Sequence, residues 1–145
     1  MLKLGAYINF LIAAAHIIGL FWAQQMFDYT GIGEQMRENA AIHPLLPYII
    51  TVFTAIFFFI FGLYGLSGAG KIRKLPLLKT GVFTIAGIYL IRGLVGCIIN
   101  IGFETTFQWH HLLFSLFALG IGLLYLLGGL NKWKTPNKKP HQATI

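Results

Sequence analysis

Arg92 interrupts the apolar run "GIYLIRGLVG" (87–96), and no Asp or Glu lies within ten residues on either side. A guanidinium inside a run of this kind costs about 2.5–3.5 kcal/mol at the centre of a bilayer unless it is paired or hydrated, so the position asks for a partner. Two imidazoles belong to the same question. His16 sits in "AAAHIIG", and His111 follows His110 in "ETTFQWHH" (104–111). A fixed cation beside two imidazoles is chemistry for holding an anionic or carbonyl-bearing amphiphile, such as a lipid headgroup, a fatty acid or a quinone. Arg92 would be the anchor, and His16 and His111 would form hydrogen bonds or handle a proton. Two inward histidines in a four-helix bundle are also the ligand set of a b-type haem, with Arg92 available to a propionate. The purely structural alternative has Arg92 reaching toward Glu104 or Asp28, and each imidazole satisfied by a carbonyl of a neighbouring helix.

These side chains need elements that can carry them. The 145-residue chain is 57% hydrophobic and 10% charged, with mean hydropathy +0.72. Soluble domains carry about 25% charged residues, so the expectation is an all-α integral membrane four-helix bundle. Apolar runs of roughly 20 residues fall at 4–24, 47–67, 77–100 and 107–130. They make one transmembrane domain over 1–131, followed by a short basic tail, 132–145. The first run continues past "AAAH" to Ala23, too long for a cleaved h-region, and is read as a retained helix. The piece "GEQMRENAAIH" in the loop 28–46 is a candidate short surface helix.

Charge assigns the sides. Lys3, Lys71, Arg73, Lys74, Lys79, Lys132, Lys134, Lys138 and Lys139 fall on one side of the alternating spans, and Asp28, Glu34, Glu38 and Glu104 on the other. The positive-inside bias then places both termini in the cytoplasm (N-in/C-in). The net charge of +7 is accounted for by this topology and by anionic lipid, without a nucleic-acid partner.

In lipid, small and polar residues mark the face that packs against protein. Each span has one such stripe: Asn9, Ala13, His16, Gly19 and Ala23; Thr51, Ala55, Gly62 and Gly65; Tyr89, Arg92, Gly96 and Asn100; His111, Ser115, Ala118, Gly122 and Tyr125. From His110 the row runs through Phe114, Phe117, Ile121 and Leu124, which reads as lipid-facing, so His111 is the inward histidine of the pair. At 1.5 Å per residue, His16 and Arg92 lie roughly 12 Å and His111 roughly 6 Å below the outer ends of their spans. The expected site is a single outer-half pocket of Arg92, His16, His111, Tyr89, Asn100, Asn9 and Ser115, under a rim of Gln24, Asn100 and Glu104.

Other chemistries find little footing. Cys97 is the sole cysteine, which rules out an intramolecular disulfide and a CxxC site. "GLSGAG" (65–70) lacks the lysine–serine pair of a phosphate loop, and there is no HExxH. The group Glu104, His110 and His111 could collect a metal at the outer surface, and a zinc site would want a further protein ligand in reach, such as His43. No ladder of carboxylates runs through the spans, which argues against an ion-coupled pump. The phenylalanine-dense "FTAIFFFIFG" (53–62) offers either a lipid-facing wall or a surface for a larger membrane complex or for self-association.

The segments "GLYGLSGAGKIRKLPLL" and "GIYLIRGL" resemble the DoxX-like group of small bacterial four-helix membrane proteins, over about a third of the chain. The resemblance implies a bacterial plasma-membrane setting and carries over no catalytic residue. The reading is therefore a non-enzymatic amphiphile-binding membrane protein or an accessory subunit, with a haem-binding electron carrier as the alternative.

Overall fold

The structure, a computed structural model, describes residues 1–102 and 109–134. Glu104 and the tail residues 135–145, Lys138 and Lys139 among them, lie outside the described residues, and so does Glu104's part in the rim and in a zinc set. The described residues form six α-helices and no strand: α1 (Leu2–Gly19), α2 (Ala23–Tyr29), α3 (Gly33–Ile42), α4 (Leu46–Gly68), α5 (Leu78–Gly102) and α6 (Trp109–Lys134). Four segments, Leu2–Tyr29, Leu46–Gly68, Leu78–Gly102 and Trp109–Lys134, are long and apolar enough to cross a membrane. They coincide with the four apolar runs of the sequence to within a few residues at most ends.

The first of these segments is not one helix. A 3₁₀ turn over Leu20–Trp22 interrupts it, and Trp22 leaves helical geometry at φ −129°, ψ 41°. The chain resumes as α2, turns at Thr30–Ile32 with Gly31 at φ +78°, and enters α3. The sequence "GEQMRENAAIH" is thus a short helix, as expected. Asp28 and Arg37 form an ion pair across the α2–α3 corner, directly over Gly33, where an added Cβ would strike the Asp28 carboxylate.

The long helices form two close antiparallel pairs, α1 with α4 and α5 with α6, joined along α1–α6 and α4–α5. Packing follows the rule for helices in lipid, where close approach and hydrogen bonds replace hydrophobic segregation. The interior holds Gly5, Ala6, Ala13, Ala55, Gly62, Gly65 and Ala86, while Leu11 (70% exposed) and Phe21 (82%) face outward. Phe53, Phe57 and Phe59 of α4 are likewise exposed. The predicted stripes are largely the interior face: Asn9, Thr51, Ala55, Gly62, Gly65, Tyr89, Asn100, Ala118, Gly122 and Tyr125 are buried. His16, Gly19, Gly96, His111 and Ser115 are half-buried, and two positions depart outright. Arg92 is exposed, with Gly93 taking the inner position, and Ile121 of the expected lipid-facing row is a core residue.

Glycine opens the middle of the bundle for one large ring. A Cβ on Gly5 would meet the Tyr125 ring at 2.6 Å, and one on Gly65 would meet its hydroxyl at 2.6 Å and the Ala6 Cα at 3.1 Å. Tyr125 thus enters from α6 between α1 and α4. Its hydroxyl donates to the Phe61 carbonyl at 2.7 Å and accepts from Asn9 Nδ2 at 3.2 Å. Asn9 Nδ2 also donates to the Gly5 carbonyl (2.8 Å), and Asn9 Oδ1 accepts from the Tyr89 hydroxyl (2.6 Å). One polar knot therefore joins all four long helices, with each buried dipole partnered as an apolar surrounding demands.

The ends of the bundle carry opposite charge. At one end Leu2 packs on Gly68 and Gly128, and Lys132 Nζ donates to the Gly68 carbonyl. The α4–α5 connection is fastened there by Ser67, whose hydroxyl donates to the Arg73 carbonyl and accepts from the Leu75 amide (3.0 Å each). This end gathers the basic residues of the N-terminus, the 69–77 connection and the end of α6. The other end holds α2, α3, Asp28, Glu34 and Glu38.

Candidate functional site

Of the hollows at the acidic end, where α2 and α3 lie against the long helices, two hold residues expected at the site, and a third, lined by Gln24, Arg37 and Tyr48 between α2, α3 and the start of α4, holds none of the seven. The first lies on the α5–α6 pair and is lined by Arg92, Gly96 and Asn100 of α5, His111, Phe114 and Ser115 of α6, and Thr30. Its volume is about 180 Å³. The helices come together here because α5 is side-chain-free where α6 approaches. An added Cβ on Gly93 would lie 2.8 Å from the Ser115 carbonyl oxygen, and one on Gly96 would lie 2.3 Å from Ser115 Oγ. That hydroxyl donates back to the His111 carbonyl at 2.9 Å, as a serine in a helix commonly does.

His111 is positioned from across the bundle. Its ring lies against Gly31, whose absent Cβ would come within 2.3 Å of Nε2. A left-handed residue without a side chain is what lets the α2–α3 turn sit on the imidazole. Beside it, His110 stacks on Tyr29 with ring centroids 5.8 Å apart and planes 20° from parallel, and Phe114 meets the same tyrosine edge-on. Both histidines are half-buried, so His110 is held by a ring contact with Tyr29 as well as by Trp109.

The second hollow, about 200 Å³, lies between α1 and α4 under α2 and α3. His16 lines it together with Met26, Phe27, Met36, Thr51 and Thr54. His16 Nδ1 is 2.8 Å from the Ile12 carbonyl, and its ring rests against Phe58 at 5.1 Å. Thr51 and Thr54 donate their hydroxyls to the Pro47 and Ile50 carbonyls one turn earlier, so they present mainly methyl groups to the space.

Of the seven side chains nominated from sequence, the first hollow gathers Arg92, Asn100, His111 and Ser115. His16 lines the second hollow. Asn9 and Tyr89 belong to the polar knot, nearer the middle of the bundle. Thr30 lines both hollows and was not nominated; its hydroxyl donates to the Met26 and Phe27 carbonyls at 2.8 and 3.2 Å. Its only sequence signal is its place before the "GIG" turn. Gly31, which seats His111, had no signal beyond being a turn glycine. Among the described residues, no three His, Cys, Asp or Glu side chains gather as a metal site, and Asp28–Arg37 is the one ion pair.

Fold and site together define a small helical protein with four membrane-length helices and a cationic cleft at its acidic end. No family model, curated protein or solved structure matches this chain.

Proposed function

We propose that the protein is a multi-pass protein of the bacterial plasma membrane, with both termini in the cytoplasm, that binds a small anionic or carbonyl-bearing amphiphile in the Arg92 cleft. The orientation rests on the segregation of charge: the basic end faces the cytoplasm, and the end bearing α2, α3 and both hollows faces outward. The bacterial setting rests on the resemblance to the DoxX-like group. Binding is non-enzymatic, and the lipids of the surrounding leaflet are the nearest source of such a ligand.

One observation carries the binding reading. Arg92 is exposed on a helix of membrane length, and it shares its cleft with the polar side chains of Asn100, His111, Ser115 and Thr30. A guanidinium at such a position is expensive until an anion or a strong acceptor reaches it, and its planar donor fork suits a carboxylate or phosphate. The other groups of the cleft supply the few placed polar contacts that orient a ligand in an otherwise apolar wall.

The haem reading asks His16 and His111 to face one ring. His111 Nε2 is seated against Gly31, and His16 lines the other hollow, so no observation favours that ligand pair. The accessory-subunit reading rests on the exposed phenylalanines of α4, which fit lipid equally well.

The test is native mass spectrometry of the protein released from mild detergent. An amphiphile retained by the wild type should be lost in Arg92→Leu and partly kept in Arg92→Lys, which preserves charge but not the fork. Equal retention in Arg92→Leu would remove the proposal.

A further inference from the structure

We infer that the His16 hollow is a second ligand site, separate from the Arg92 cleft, that takes a small uncharged phenol-type ring. Size comes first. A dry cavity of about 150 Å³ lined by apolar side chains holds a benzene molecule, and this one offers about 200 Å³. One ring with a substituent fits this space.

Charge comes second. None of the side chains lining this hollow is Asp, Glu, Lys or Arg. A charged ligand would therefore enter without a counter-charge, at a desolvation cost that an apolar wall does not return. The ligand is neutral, in contrast to that of the Arg92 cleft.

The hydrogen-bond inventory then selects the functional group. The hydroxyls of Thr30, Thr51 and Thr54 are already donated to backbone carbonyls of their own helices. Their oxygens keep lone pairs that can still accept, and His16 adds the one imidazole of the lining. A carbonyl oxygen only accepts, so the Ile12 contact puts the proton on Nδ1, and in the neutral ring Nε2 is then an acceptor. The ligand should bring one donor, which a phenolic hydroxyl does well. The rest of the wall favours an aromatic body. Met26 and Met36 offer two thioethers, groups that gain from sulfur–aromatic contact. Phe27 adds a ring of its own, and Phe58 packs against the imidazole with ring centroids 5.1 Å apart.

The experiment is a ¹⁹F NMR titration of the full chain in detergent micelles with 4-fluorophenol, and with fluorobenzene as the ring lacking a donor. Empty micelles give the partition baseline. A saturable signal is expected, with a preference of about tenfold for the phenol, the worth of one neutral hydrogen bond in a dry site. His16→Phe should reduce that preference to about one, and His16→Gln, which keeps an acceptor, should restore part of it. Gly19→Leu should abolish saturable binding of both rings. The added Cβ at Gly19 meets Met26 Cγ at an ordinary 3.6 Å, so a larger side chain can start there without a clash at its first atom. Arg92→Leu should leave the affinity within twofold.

Unsaturable partition alone, or a preference that survives His16→Phe, overturns the inference. Loss of 4-fluorophenol binding in Arg92→Leu would overturn the separateness of the two sites. Saturable binding with unchanged amphiphile retention in Arg92→Leu would remove the cleft proposal and leave this one standing.

Discussion

The Tyr89 hydroxyl donates to Asn9 Oδ1 at 2.6 Å, joining α5 to α1, two helices that face each other across the bundle instead of pairing. Both residues are buried, and Asn9 is 0% exposed. The bond therefore ties the α1–α4 pair to the α5–α6 pair where neither set of close helix contacts does so.

Removing that hydroxyl should loosen the whole bundle modestly. Tyr89→Phe keeps the ring and is expected to cost about 1 kcal/mol, within the range for interhelical hydrogen bonds in membrane proteins. Asn9→Leu should cost more, because it also strands the Tyr125 hydroxyl's second contact. Reversible unfolding in mixed micelles measures both. In the double variant the costs should fall short of additive by roughly the worth of the shared bond. Strict additivity would mean that the two side chains act independently.

Two glycines with the same backbone geometry separate strain from function. Gly31 (φ +78°) and Gly70 (φ +70°) both occupy the left-handed region, yet a Cβ at Gly31 would strike the His111 ring, and one at Gly70 meets nothing within 4 Å. Alanine at either should cost about 1 kcal/mol in backbone strain. Only Gly31→Ala should also push the imidazole aside and weaken amphiphile retention in the native mass spectrum. Similar retention in the two variants would show that the placement of His111 does not matter to the cleft.

Orientation is open to direct labelling. In a Cys97→Ser background, Gln35→Cys on α3 should react with a membrane-impermeant maleimide added to intact cells. Ile72→Cys in the α4–α5 connection should react only after the membrane is broken. Both positions are exposed in the structure, so access depends on the side of the membrane and not on burial. The reverse pattern would place the basic end outside and withdraw the assignment of termini.

The sequence by itself settled the helices and most of their inner faces. Span length is a matter of counting apolar residues against the hydrocarbon thickness, and the inner face follows from helical spacing of small and polar residues; both are local properties. That is why Asn9, Thr51, Gly65, Tyr89, Ala118 and Tyr125 could be placed inside before any helix was paired with another. The separation of the basic ends from the acidic ones is likewise a consequence of alternation along the chain.

Only the tertiary structure decided who meets whom across the bundle. A stripe is broad, and its edge residues go to whichever neighbour packs there. On α5 the close approach to Ser115 required Gly93 and Gly96, so the helix turned Gly93 inward and left Arg92 at the mouth of a cleft. On α6 the same packing drew Ile121 into the core. The pairing of α1 with α4 and of α5 with α6 divided one expected chamber into two hollows, and the break at Leu20–Trp22 brought α2 to their common border. Helix pairing is chosen by shape complementarity between surfaces far apart in sequence. The spacing of residues within a single helix carries no record of it.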